Sequence, residues 1–173
     1  MTDNAPGVDA WKQHTTAFDR VQSVATTVSE PTPVAAIADE AHVAANTARD
    51  HLERLADMNV LLKTDHEGTA MYAPDPLHTR MQTLRDLLEA HDHDDLLALK
   101  ADLQTEIETW REAYDADSPA ALREQAVDAT SAAETREIRQ TARDWELVDY
   151  RLDIVEDAIE NYTTYTRSSQ ATA

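Results

Sequence analysis

The stretch Ala44-Ala45-Asn46-Thr47-Ala48-Arg49-Asp50-His51 sets small residues first and hydrogen-bonding side chains after them. Read as a helix, it turns Asn46, Thr47, Arg49 and Asp50 outward, with Glu53 a turn later, while Ala48, Leu52 and Leu55 fall inward. Such an outer face can recognise base edges, because Asn pairs bidentately with adenine and Arg with guanine. Ala45, with Ala44 before it, keeps bulk away from the helix start, so that the helix fits a major groove about 12 Å wide. His51 stands at the edge of this face, where a packed side chain and a base contact are both open readings. Lys63-Thr64-Asp65-His66 is expected at the tip of a hairpin, which would bring Lys63, Thr64 and His66 beside phosphates or the minor groove. Thr32 is counted with these candidate contacts as the expected N-cap of the preceding helix, with Pro33 at its first position.

Other residue sets suggest chemistry less strongly. His91-Asp92-His93-Asp94-Asp95 contains metal-ligand types, but Asp92 or Asp94 capping the next helix is the better reading. Trp110, Trp145, Tyr150, Tyr162 and Tyr165 recur at helical spacing, as core or contact residues do. There is no Gly-rich phosphate loop, nucleophile–base pair or metalloprotease spacing, so no catalytic residue, metal or cofactor is expected and the chain does not read as an enzyme. The absence of cysteine excludes disulfides and thiolate chemistry.

The elements that must position these groups follow from the apolar periodicity. Trp11, Phe18, Val21, Val24, Ala25 and Val28 predict a helix over 11–28, after a disordered start at 1–9. A short helix from Pro33 to Glu40 buries Val34, Ile37 and Ala38, and a turn near Ala41–Val43 leads to the helix 44–58. "VLLKT" and "TAMYA" read as strands of a hairpin, with Gly68 supplying positive φ. Beyond Pro76, Leu77, Met81, Leu84 and Leu88 form one stripe, and Leu96, Leu99, Leu103, Ile107, Trp110 and Tyr114 form another. Ser118-Pro119 opens a shorter helix to about Val127. The last segment alternates spacings of three and four through Ile138, Thr141, Trp145, Val148, Leu152, Val155, Ile159 and Tyr162, a heptad seam. An exposed seam of that length predicts a homodimer, with Trp145, Val148, Leu152, Val155, Ile159 and Tyr162 at the interface; the alternative is that 77–90 and 94–114 cover it within one chain.

The composition bounds the rest. The 173 residues hold 34 Asp and Glu against 15 Lys and Arg, a net charge of −19, with lysine only at positions 12, 63 and 100. The acids are spread through regular apolar stripes instead of forming a tail, as in proteins of salt-loving archaea, so the charge reads as a solvent adaptation. Only two glycines, with abundant Ala, Leu and Glu, predict a mainly helical chain. No apolar run approaches the roughly 18 residues of a membrane span, and MTDNAPGVDA is unlike a signal peptide, so a cytoplasmic protein with no membrane partner is expected.

"IADEAHVAANTARDHLERLADMNVL" followed by "GTAMYAPD" resembles the winged helix-turn-helix regulators of the broad ArsR-like group, and more closely their haloarchaeal members with long helical C-termini. The likeness rests on Ala41, Val43, Thr47, His51-Leu52 and Leu55 and covers residues 20–75. It implies a transcriptional regulator that binds double-stranded DNA as a dimer. Metal sensing does not carry over, because the cysteines of metal-sensing members are missing. The expected fold class is mainly α: a winged helix-turn-helix at 12–75 with a small β-hairpin wing, then a helical, coiled-coil-like dimerisation region at 76–166. The alternative is a protein-interaction module that binds another regulatory factor through the same surface. Either reading leaves room for a small-molecule effector of unknown identity.

Overall fold

A computed structural model describes Trp11 and residues 14–170, with side chains placed as far as Arg167. The disorder expected at 1–9 lies outside these residues. The chain divides into two compact units, one ending at Met81 and the other beginning at Gln82.

The first unit runs α1 (Ala17–Ala25), β1 (Thr32–Pro33), α2 (Val34–Glu40), α3 (Ala45–Asp57), β2 (Leu61–His66) and β3 (Thr69–Pro74). The three strands form an antiparallel sheet in the order β1-β3-β2. Val21, Ile37, Ala48, Leu52, Leu55 and Tyr72 are fully buried at the centre of its core. Α1 is shorter than the apolar stripe suggests because Thr16 caps it: the Thr16 hydroxyl accepts from the Asp19 N–H, and the Asp19 carboxylate accepts from the Thr16 N–H at 3.0 Å. This reciprocal box starts a new helix, so the expected single helix 11–28 does not form, although Trp11 still packs on the core.

Two tight turns set the direction of α3. After α2, His42 takes a φ of 52°, and the N–H of Val43 donates to the Ala38 carbonyl at 3.0 Å. After α3, Asn59 takes a φ of 57° and the Val60 N–H donates to the Leu55 carbonyl at 2.9 Å. Both are left-handed helix ends that satisfy otherwise orphaned carbonyls, here with His and Asn where glycine is commonest. The hairpin closes on Glu67 and Gly68, both at positive φ (53° and 80°), the geometry that matches the twist of its strands.

The sheet brings two corrections. Pro33, not Thr32, is the N-cap of α2, and it has no side chain to cap with. Thr32 instead lies in β1 opposite Tyr72, and its hydroxyl donates to the Glu30 carbonyl at 2.8 Å. The β2–β3 ladder also extends to His66↔Thr69, so Lys63 and Thr64 are mid-strand residues and the tip is Glu67-Gly68.

The unit from Gln82 is all helix. It begins within α4 (Pro76–Ala90) and continues through α5 (His93–Tyr114), α6 (Pro119–Gln125), α7 (Ala132–Glu160) and α8 (Tyr162–Gln170). Asp92 caps α5 in a reciprocal box with Asp95, and Ser118 caps α6 with Pro119 at its first position. Leu84 and Leu87 of α4 pack with Leu96 and Leu103 of α5 and with Ile154 and Val155 of α7. Ile107, Leu122, Ile138 and Trp145 form a second cluster, with the Trp110 and Trp145 rings 6.0 Å apart. Leu77 and Met81, expected in the first stripe, are exposed.

The heptad seam is real, but the chain itself covers it. Trp145 and Val155 are buried at 1% and 0% exposure, and Val148, Leu152, Ile159 and Tyr162 pack against the same clusters. Helices of the same chain thus cover much of the seam, as the alternative reading expected, and its heptad spacing alone does not require a dimer. Left outside on α7 are Leu147 and Tyr150, at 66% and 41% exposure.

Candidate nucleic-acid interface

Α3 is anchored by one stripe and presents another. Ala48, Leu52 and Leu55 are fully buried, whereas Ala44, Ala45, Asn46, Arg49 and Asp50 are all exposed. Thr47 is partly buried on the flank between them. Of the residues read as the outer face, Asn46, Arg49 and Asp50 are exposed, whereas Thr47 and Glu53 are partly buried; for His51, left open by the sequence, the packed reading fits. That imidazole is partly buried and meets the Phe18 ring edge-on at 5.5 Å, so it lies on the side of α3 that packs against α1.

The cations of this unit are mostly engaged in building it. Arg20 donates through Nε to the Ala41 carbonyl at 3.0 Å, pinning the turn before α3, and through Nη1 to the Thr15 carbonyl at 2.8 Å. The Arg54 guanidinium lies 5.3 Å from the centre of the Phe18 ring. Lys63 reaches from β2 to the Glu53 carboxylate at 2.6 Å. Arg49 differs: its Nη1 donates to the neutral amide oxygen of Asn46 at 3.3 Å, a long bond between two exposed residues that a better acceptor can displace.

Glu53 is the joint between helix and hairpin. Besides Lys63, its carboxylate accepts from the Tyr72 hydroxyl at 2.8 Å, so both strands hold α3 through one side chain. The Lys63 and Tyr72 hydrogen bonds keep the Glu53 carboxyl below its ordinary range. Burial, then the same carboxylate, push the Tyr72 phenol up to about 12. Sequence reasoning placed Glu53 on the reading face and missed this role. The signal that could have found it is the cross-strand pair Lys63↔Tyr72, which sets a cation and a phenol side by side on one face of the hairpin.

The remaining hairpin candidates separate from Lys63. Side chains alternate along β2, so Thr64 and His66 project from the face opposite Lys63, together with exposed Leu62. Asp65 accepts from the Gly68 N–H at 2.9 Å and so stabilises the turn. Thr32 lies in β1, with its hydroxyl bonded to its own loop.

Among the described residues no group of three or more His, Asp or Glu converges as a metal site, and no helix is long and apolar enough to cross a membrane. Comparison with curated proteins returns no match. The chain matches a family model over residues 15–164, which takes in both units, and so belongs to a family of unknown function (DUF7342).

Proposed function

We propose that the first unit is a winged helix-turn-helix and that the chain is a sequence-specific, DNA-binding transcriptional regulator of the ArsR-like kind, working in a high-salt cytoplasm. The observation that carries this reading is the exposed row Ala44, Ala45, Asn46, Arg49 and Asp50, raised on a helix whose other side is fully anchored. The order α1-β1-α2-α3-β2-β3, with the hairpin fixed to α3 through Glu53, supports it. In this reading Ala44 and Ala45 admit the helix to the major groove, while Asn46 and Arg49 contact base edges. Thr64 and His66 lie along the backbone, since hairpin residues on the outer face position without specifying.

Lys63 acts differently from a free phosphate anchor. Its ammonium is spent on Glu53, so it neutralises a carboxylate that would otherwise stand, with Asp50, between α3 and the DNA. Reading of two half-sites about 34–36 Å apart remains part of the proposal on the geometry of pseudo-palindromic sites alone. Leu147 and Tyr150, exposed on α7, are among the apolar residues open to such pairing.

A mobility-shift assay with genomic fragments at high potassium chloride tests the reading. Retarded fragments sharing a sequence, with retardation reduced by Arg49→Ala, are the expected result. Absence of any shift, with the protein folded, would transfer the exposed row to a protein partner.

A further inference from the structure

The second unit carries the most concentrated positive charge described in the molecule, and the proposed DNA reading does not use it. Arg136, Arg139 and Arg143 recur at spacings of three and four along α7, which stacks them on one face. Arg123 joins them from α6, and the four arginines line one open cavity of about 540 Å³ with no carboxylate among the lining residues. From Gln82 onward the sequence has nine Lys and Arg against 22 Asp and Glu, yet four of those nine meet here. In so acidic a chain, arginines that only balance surface charge would be found beside carboxylates, as Arg123 is beside Glu146 but Arg136 and Arg139 are not.

Three neighbouring carboxylates have partners of their own, one of them inside the cluster. Glu146 accepts from both terminal nitrogens of Arg123, which fixes that guanidinium across the two helices. Asp144 accepts from Gln140 Nε2 at 2.8 Å, and Gln140 in turn accepts from Arg143 at 3.0 Å. Glu134 is taken by Thr130, accepting from its N–H and its hydroxyl, both at 2.8 Å. Among the described residues, Arg136 and Arg139 have no carboxylate within ion-pair distance. Like charges three and four residues apart repel and weaken a helix, so the cluster is unfavourable until an anion joins it.

We infer that Arg123, Arg136, Arg139 and Arg143 form a binding site for an oligophosphate, a ligand presenting two or more neighbouring phosphate groups. The guanidinium fork matches phosphate oxygens in pairs, and several forks on one wall suit several phosphates better than a single one. The volume falls within the range of small-ligand sites, and no apolar or aromatic side chain lines it to hold a hydrophobic ligand. A free phosphorylated compound and the backbone of a nucleic acid offer the same chemistry. The site is on α6 and α7, so it stands or falls separately from the α3 reading.

Calorimetric titration with inorganic tripolyphosphate, at constant potassium chloride, tests the site. Wild-type protein should bind, and the double variant Arg136→Ala/Arg139→Ala should bind about tenfold more weakly or less, with helix content unchanged because both side chains are exposed. Arg136→Lys/Arg139→Lys should recover part of the loss, and Arg49→Ala none of it should affect. A parallel titration with duplex DNA separates the sources. If the double alanine variant binds DNA as wild type does, the ligand is a free phosphorylated compound; if DNA affinity falls together with tripolyphosphate affinity, the phosphates are those of the backbone. Wild-type protein that binds tripolyphosphate no better than the double variant overturns the inference.

Discussion

Α3 and α7 are both pinned by an apolar stripe, but their outward faces treat charge in opposite ways. On α3, Glu53 is tied to Lys63 and Tyr72, and what faces outward is small, amide or singly charged: Ala45, Asn46, Arg49 and Asp50. On α7, three arginines stack together while Glu134, Asp144 and Glu146 have partners of their own, and a fourth is aligned from α6. The first arrangement suits discrimination among neutral base edges, the second attraction of dense negative charge. For a chain of net charge −19, the local placement of cations says more about partners than their sum does.

The largest effects should show that the two faces stand on separate cores. Trp145 is buried at 1% exposure, and Trp145→Ala should destabilise the unit from Gln82 by about 3–5 kcal/mol. Leu52 is fully buried, and Leu52→Ala should destabilise the α3 unit by about 2–5 kcal/mol. Amide hydrogen exchange read unit by unit distinguishes the two. Equal loss of protection in both units from either substitution would break the comparison, because the cores would then unfold as one.

Most of this architecture was legible in the sequence where period and burial agree. Ala48, Leu52 and Leu55 turned inward as their spacing requires, Gly68 took its positive φ, and Ser118-Pro119 opened its helix. Misreadings occurred where local chemistry overrode an apolar stripe. Thr16 and Asp19 form a capping box inside a run that reads as one helix, and Thr32 was drawn into a sheet whose edge the sequence does not announce. The seam from Ile138 to Tyr162 shows a different limit. Heptad spacing states that a helix face is covered, but the partner can be another chain or, as here, helices of the same one. At the candidate site, exposure was readable from periodicity, whereas the Glu53–Lys63–Tyr72 joint depended on a strand register that ran further than the turn signal suggested.

That joint sharpens the comparison at a smaller scale. Tyr72→Phe should cost about 1 kcal/mol, the size of one hydrogen bond, and should loosen the hairpin from α3. The pH dependence has a definite sign at each end. The Tyr72 phenol is raised from 10.0 to about 12, so its contribution is full below pH 10 and is lost as pH rises through 12. The Glu53 carboxyl is lowered from 4.5, so its contribution is full above that value and is lost as pH falls through the lower folded value. Chemical denaturation across pH should show both edges for the first unit, with the alkaline one missing in Tyr72→Phe. An alkaline edge that survives that substitution would assign it to another group.

The smallest expected effect concerns salt. Ordinary complexes weaken as salt rises, because cations released from phosphates are driven back. Asp50 is exposed beside Arg49, and with Glu53 neutralised it is the carboxylate left on the α3 row itself. We propose that it takes up a cation on binding, so that DNA affinity holds steady or rises with potassium chloride. Asp50→Asn should make the log–log slope more negative by about one. A steep fall with salt in the wild type, unchanged in the variant, would remove Asp50 from the interface.

The central claim is that α3 reads bases, and selection of bound duplexes from a random pool at high potassium chloride tests it most directly. Wild-type protein should enrich one motif containing a guanine at a fixed position. Arg49→Ala should retain folding but lose about 1–3 kcal/mol of discrimination at that guanine, leaving the rest of the motif in place. No enriched motif with folded wild-type protein, or the same motif with undiminished preference in Arg49→Ala, would contradict the account.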